Sequence, residues 1–183
     1  DHYRQFIEEG EEREIIEAEH QATPEQVIEE PNQEDLIKSQ RWGSREVEIT
    51  SVKLCNNNRE EHALFHSEDS LTVEIAYRFH EPTESVVFGI GLHRSDGLMV
   101  HGSNTDIEKI RLPALGDSGV VRYQIERLGL LDGQYLIDVA VHREDGYPYD
   151  YHKSVKTFAV RSPVRHVGIL VPSHRWEFNA GAK

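Results

Sequence analysis

Residues 71–79 read LTVEIAYRF, and this stretch decides the fold. Its odd-numbered positions are apolar, whereas the even-numbered positions carry Thr72, Glu74, Ala76 and Arg78. Successive side chains of a strand point to opposite faces, so this alternation predicts a strand with one buried face and one face in water. Arg78 then projects away from the core.

The same alternation recurs on both sides of this stretch. Apolar residues are spaced by two within residues 86–92, 121–125, 135–141 and 158–160. Residues 47–49 begin a further strand whose apolar phase has changed by residues 52–54, which predicts a β-bulge near Thr50 and Ser51. Turn residues such as Ser95-Asp96-Gly97 separate the runs. About seven or eight short strands, with no helical run long enough for a parallel crossover, predict an all-β, antiparallel β-sandwich.

Most of the charge lies at the amino end of the chain. The 183 residues carry a formal net charge of −13, and residues 1–40 contain 13 acidic against three basic residues. Residues 3–20 are predicted to form a helix with a narrow apolar stripe, and Thr23-Pro24 is typical of the start of a second, shorter helix. We therefore divide the chain into an acidic helical linker at residues 1–41 and a sandwich domain at residues 42–183.

Several classes of function are disfavoured by what the sequence lacks. Cys55 is its one cysteine, so no intrachain disulfide is expected and a reducing, cytosolic setting fits best. No apolar run approaches the roughly 20 residues that cross a bilayer, and the amino terminus lacks the order of a signal peptide. An acidic chain without a basic patch is a poor ligand for nucleic acid. Neither a phosphate-cradling loop nor a GxSxG elbow occurs, so no catalytic residue and no cofactor is predicted here.

The histidines do not predict a metal site. His62 and His66 are spaced four apart, but the glutamate of an HExxH motif is missing between them. They precede a predicted strand, where helical spacing has no meaning, so we interpret them as solvated surface residues.

Planar and polar side chains outside the core phase indicate a candidate binding face. The parity that turns Arg78 outward also turns His93 outward, and residues 147–152 place three tyrosines in a hairpin region. A saccharide needs an aromatic plate for the C–H face of its ring and polar groups for its hydroxyls. The tyrosines are equally explained as strand-edge residues. Provided that their strands share a sheet, the candidate carbohydrate-binding surface comprises Arg78, His93, His142, Tyr149 and Tyr151, beside the open glycines Gly89 and Gly91.

The carboxyl end carries one more strand-like segment. Residues 165–171 read RHVGILV and follow Ser162-Pro163, whereas Pro172 and a polar stretch come next. A last strand placed after a proline-marked hinge can pair with its own sheet or with that of a second copy.

Four pieces of sequence, in their order and spacing, resemble the carboxyl-terminal domain of Wzt. Wzt is the ATP-binding subunit of the ABC transporter that exports O-antigen polysaccharide in Gram-negative bacteria. The pieces are VEITSV at 47–52, VHGSNT at 100–105, GQYLIDVAVH at 133–142 with YDYH at 149–152, and HRW at 174–176. The resemblance covers about residues 42–178.

The resemblance implies a homodimeric, immunoglobulin-like sandwich that exchanges its last strand between protomers. Such a domain recognises the exported polysaccharide, often through its modified non-reducing end, and does no chemistry itself. Residues 1–41 then become the tail of an absent nucleotide-binding domain, which binds ATP and Mg²⁺ on the cytoplasmic face of the inner membrane against the permease subunit. No family motif identifies ligand-contacting residues, so the candidate surface depends on the pattern of faces alone.

Two functions of other classes stay open. The first is a structural dimerisation module without a ligand. The second is a hydrolase acting on sugars, which requires a pair of carboxylates at a defined separation, and the sequence offers no such pair.

Overall fold

The computed structural model describes residues 40–178, which form two packed β-sheets. The strands are β1 (Arg41–Trp42), β2 (Val47–Cys55), β3 (Leu64–His66), β4 (Leu71–Phe79), β5 (Val87–Arg94), β6 (Met99–Asn104), β7 (Ser118–Ile125), β8 (Gly133–His142) and β9 (Pro148–Arg161). One sheet has the order β1-β9-β8-β5-β6, with β3 also beside β9, and the other has the order β2-β4-β7. The predicted all-β sandwich is confirmed.

Strand β4 has the alternation that its sequence predicts. Its odd-numbered residues from 71 to 77 are buried, and its even-numbered residues keep contact with solvent. It pairs with β2 on one side and with β7 on the other, antiparallel in both cases. The predicted bulge is present, because the pairing register of β2 with β4 shifts between Ile49 and Ser51.

The core lies between the two sheets and is built from the predicted apolar rows. Strand β5 contributes Phe88, Ile90 and Leu92, and β8 contributes the odd-numbered residues from 135 to 141. Strand β7 supplies partly buried residues at one margin of the core. One pairing differs from the antiparallel expectation, since the three-residue strand β3 runs parallel to β9.

The segment after β9 stays close to the sandwich but adds no strand within residues 162–178. Leu170 forms a single bridge with Leu130, and the Val171 N–H donates to the Gly129 carbonyl at 2.6 Å. Trp176 and Phe178 are 82% and 87% exposed. The predicted terminal strand is therefore not formed within one chain, and its exchange with a second copy stays a prediction. The two helices predicted before residue 40 lie outside the described residues.

Candidate functional site

The outer face of the six-stranded sheet carries a row of residues that crosses five strands. The pairing registers place Trp42 of β1, Tyr151 of β9, Ala140 of β8, Gly89 of β5 and Asn104 of β6 side by side. The middle of this row is made of the two smallest residue types, Ala140 and Gly89, and both are buried although no strand or helix of residues 40–178 lies over this face. Larger side chains on the same face must therefore shield these two residues from solvent. We call the floor formed by Ala140 and Gly89, together with the side chains that flank it, the trough.

A second row runs beside the first along the trough. Gly91 of β5 pairs with Asp138 of β8 and with Gly102 of β6. A Cβ at Gly91 would touch the side chains of His93 and Asp138 at 3.3 and 3.4 Å, so a larger residue would fill the trough. These glycines let a flat ligand approach the sheet closely.

A histidine–carboxylate pair forms one wall of the trough. His93 Nε2 lies 2.9 Å from Asp138 Oδ2, and Asp138 Oδ1 accepts the Ser154 N–H at 2.6 Å. Asp138 is only 5% exposed. Its hydrogen bond to His93 raises the pKa of that histidine, against the opposing effect of burial. The pair therefore offers a polar group held in a fixed orientation, with its carboxylate already occupied on both oxygens.

Two stacked aromatic rings form the end of the trough at β1. The rings of Trp42 and Tyr151 are 4.3 Å apart and 13° from parallel. Trp42 remains 39% exposed. Such a plate suits the C–H face of a sugar ring, because aromatic side chains offer a broad apolar surface at little cost in conformational entropy.

His142 stands at the trough's other long side, next to Val87 in the pairing of β8 with β5. Its Nδ1 is 2.7 Å from the Arg143 carbonyl oxygen, which can only accept, so Nδ1 carries the proton. Burial lowers the pKa of His142. In the neutral imidazole, Nε2 is consequently a hydrogen-bond acceptor suited to a hydroxyl group.

A polar recess continues beyond Val87. It has a volume of about 440 Å³ and is lined by Val87, Thr105, Asp106, Lys109, Arg111 and Glu144, among others. Its side chains carry charges of both signs, and its wall residue Val87 is shared with the sheet beside His142. An extended ligand in the trough can therefore reach further polar groups here.

Three of the five predicted site residues lie together on this face. His93 lies in β5, His142 in β8 and Tyr151 in β9. These three strands share one sheet, as the prediction required. Arg78 does not join them, because β4 belongs to the three-stranded sheet. The outer faces of a sandwich point in opposite directions, so the single surface that included Arg78 was wrong.

Tyr149 is also not part of an exposed rim. It is 3% exposed, packs in the core and donates its hydroxyl to the Ser85 carbonyl at 3.1 Å. The reason is a register shift between β8 and β9, in which Val141 pairs with Asp150 but His142 pairs with Pro148. Tyr149 is the extra residue of this bulge, where the alternation behind the prediction fails.

Trp42, Asn104 and Asp138 lie in the trough but were not among the predicted site residues. The sequence does contain a signal for Asp138, because the outward positions on either side of it in β8 are the apolar Leu136 and Ala140. Trp42 and Asn104 had none, because strand order alone brings them into one row. His62 and His66 are exposed, as expected for surface residues. Within residues 40–178 there is no group of three or more metal-ligating side chains and no helix that could span a membrane.

Three comparisons relate the chain to known proteins. The family model described as the Wzt C-terminal domain matches residues 38–171. The O-antigen export system ATP-binding protein RfbB of Myxococcus xanthus is 29% identical over 136 residues, which cover 74% of this chain. The chain spans only about 30% of the length of that relative. The crystal structure of the C-terminal domain of wzt superposes with a TM-score of 0.68 at 19% identity, covering 75% of this chain and 87% of that one, which establishes a shared fold.

Proposed function

Because the chain belongs to the family of Wzt C-terminal domains, we propose that its trough binds the O-antigen polysaccharide of its own organism for export by an ABC transporter. The name of the Myxococcus xanthus relative, an O-antigen export ATP-binding protein, supports this context. The domain itself is non-catalytic in this proposal, and the polysaccharide is recognised through its modified non-reducing end.

The trough is the observation that carries the proposal. It joins an aromatic plate, a flat floor of glycine and alanine, and fixed polar groups on a single face. Sugar rings present the complementary surface, with C–H groups on their faces and hydroxyls around their edges. Asp138 has both oxygens engaged, which argues against its use as the acid or base of a hydrolase.

The remainder of the protein follows from the family and the relative. Arg41, which the sequence had assigned to the linker of residues 1–41, belongs to β1. We propose that the segment before it connects the sandwich to a nucleotide-binding domain, which binds ATP and Mg²⁺ at the cytoplasmic face of the inner membrane beside the permease. We propose a homodimer in which residues 164–178 exchange between copies. The exposure of Val167, Trp176 and Phe178 supports this, because apolar side chains left in water are better buried against a partner.

Calorimetric titration of the chain with delipidated O polysaccharide from its own organism tests the proposed function. We expect saturable binding that is lost in Gly91→Trp, because an indole there would fill the trough. The matched control is Arg78→Ala, which changes the opposite sheet and should bind like the unaltered chain. Absence of binding, or equal binding by Gly91→Trp when its fold is intact, would contradict the proposal.

A dimerisation module without a ligand is the second candidate. The exposed apolar residues of the segment after β9 favour it. The two functions differ in one result: a dimer that binds no O polysaccharide is expected only from the structural module. Release of shortened saccharides during the titration would instead indicate a hydrolase.

A further inference from the structure

One residue of the trough comes from the very start of the sandwich. Trp42 belongs to β1, a strand of two residues whose register places Arg41 opposite His152 and Trp42 opposite Tyr151. So short a strand has little stability of its own, and its position depends on what its side chains contact. Part of the proposed sugar platform is therefore present only while β1 is docked.

The contacts of Arg41 hold β1 from the opposite face of the sheet. Its guanidinium donates to both carboxylate oxygens of Asp150, from Nε to Oδ1 at 3.1 Å and from Nη2 to Oδ2 at 2.8 Å. Nη2 also donates to the Ile49 carbonyl at 3.1 Å. Asp150 is fully buried and accepts the Ile49 N–H at 2.8 Å, so Arg41 is fixed to both sheets at once.

The residues after β1 continue this attachment along β9. The Ser44 and Arg45 N–H groups donate to the Pro148 and Tyr149 carbonyls at 3.2 and 2.8 Å. Between them and β1, Gly43 has a φ of 128°, and a side chain there would collide with the Tyr149 carbonyl. Docking of residues 41–45 is therefore a defined state of the chain with its own hydrogen bonds.

We propose that Arg41 is a positioning residue for the sugar site and that occupancy of the trough is coupled to docking of β1. A ligand on the Trp42–Tyr151 platform favours the docked state, and docking in turn raises affinity for the ligand. The segment before residue 40 is joined directly to β1, so ligand binding fixes the point at which that segment is attached. This inference depends on the proposed function. It adds a means by which ligand occupancy of the trough is communicated to the segment before residue 40.

Arg41→Ala tests the coupling without changing any side chain of the trough itself. Asp150 keeps Arg45 and the Ile49 N–H as partners, so we expect the variant to fold. Its affinity for delipidated O polysaccharide should fall about fivefold or more, and Arg41→Lys should recover part of the loss. Arg122→Ala is the matched control, because it breaks an arginine–glutamate pair with Glu74 on the opposite sheet and should leave affinity unchanged.

Hydrogen exchange supplies a readout that a merely structural role would not move. In the unaltered chain the polysaccharide should slow exchange of the Ser44 and Arg45 amides, which report docking directly. Arg41→Ala should speed their exchange without ligand. Binding by the unaltered chain, with equal affinity in Arg41→Ala or no change at these amides, overturns the coupling alone. Failure of the unaltered chain to bind overturns the coupling together with the proposed function.

Discussion

Tyr149 and Tyr151 are two residues apart in the chain yet have different roles in the structure. Tyr151 lies on the outer face against Trp42, whereas Tyr149 fills the end of the core. A single bulge in β9 separates the two environments. The pair therefore allows one side-chain type to be tested in both settings.

We expect Tyr151→Ala to weaken polysaccharide binding by about 1–3 kcal/mol, the scale of a lost stacking contact, with little change in melting temperature. Tyr149→Ala should instead destabilise the fold by about 3–5 kcal/mol, because it removes a buried ring. Titration calorimetry and thermal unfolding measure the two effects. The opposite assignment of effects to the two variants would show that Tyr149 is the ligand residue.

His152 makes the stability of the domain depend on pH. Its Nε2 lies 3.1 Å from Asp150 Oδ1, but that carboxylate already pairs with Arg41 and Arg45. Burial, together with the charges of Arg41 and Arg45, lowers the pKa of His152 from 6.5 to about 4. Between these values the unfolded chain binds more protons than the folded chain, so the free energy of unfolding falls as pH falls through that window.

His152→Gln should remove this contribution, whose slope is at most about 1.4 kcal/mol per pH unit. Urea unfolding at a series of pH values between the two pKa values measures it. His62→Gln, which changes an exposed histidine, is the control and should keep the slope of the unaltered chain. An identical slope in His152→Gln would show that other groups cause the acid sensitivity.

At the scale of strands, the sequence is a better guide to where the strands lie along the chain than to which strands pair with each other. The alternation of residues 71–79 identified β4 and its buried face, and the change of phase after Ile49 identified the bulge in β2. Both are local patterns. The placement of Arg78 failed because sheet membership is set by long-range pairing, on which periodicity carries no information.

The candidate site was predictable to the extent that it depends on local parity. Gly89, His93 and His142 were assigned to the outer face and lie there. Trp42 and Asn104 entered the site only through the strand order β1-β9-β8-β5-β6. Tyr149 was misplaced because the bulge in β9 leaves no clear signal among its neighbouring residues.

The segment after β9 is the element whose role in assembly can be tested by truncation. Ending the chain after Pro163 should yield a monomer or insoluble protein, because the proposed exchanged strand is removed. Ending it after Pro172 keeps Val167 and residues 164–171 but removes the exposed Trp176 and Phe178, and should leave a weaker dimer. Analytical ultracentrifugation distinguishes these states. A well-folded dimer that ends at Pro163 would exclude this segment as the cause of dimerisation.

At the scale of the whole molecule, the acidic amino segment should contribute little to the stability of the sandwich. Deleting residues 1–39 should shift the melting temperature by no more than a few degrees, because their composition provides little apolar surface to bury. Deleting residues 1–45 should lower the melting temperature by more, since it also removes Arg41 and the hydrogen bonds to β9. Thermal unfolding of the two truncated chains tests this. Collapse of the fold after the shorter deletion would place the acidic segment in the core.

Among residues 40–178, β9 is the last strand along the chain, and it pairs with both β1 and β3. Arg41 must meet His152 near the start of β9, and Phe65 must meet Val160 near its end, so neither early strand has its partner until β9 has been synthesised. Contacts between such distant parts of a chain slow folding. We expect this domain to fold after its translation is complete rather than along with it, and its unpaired early strands to need protection from aggregation during that interval.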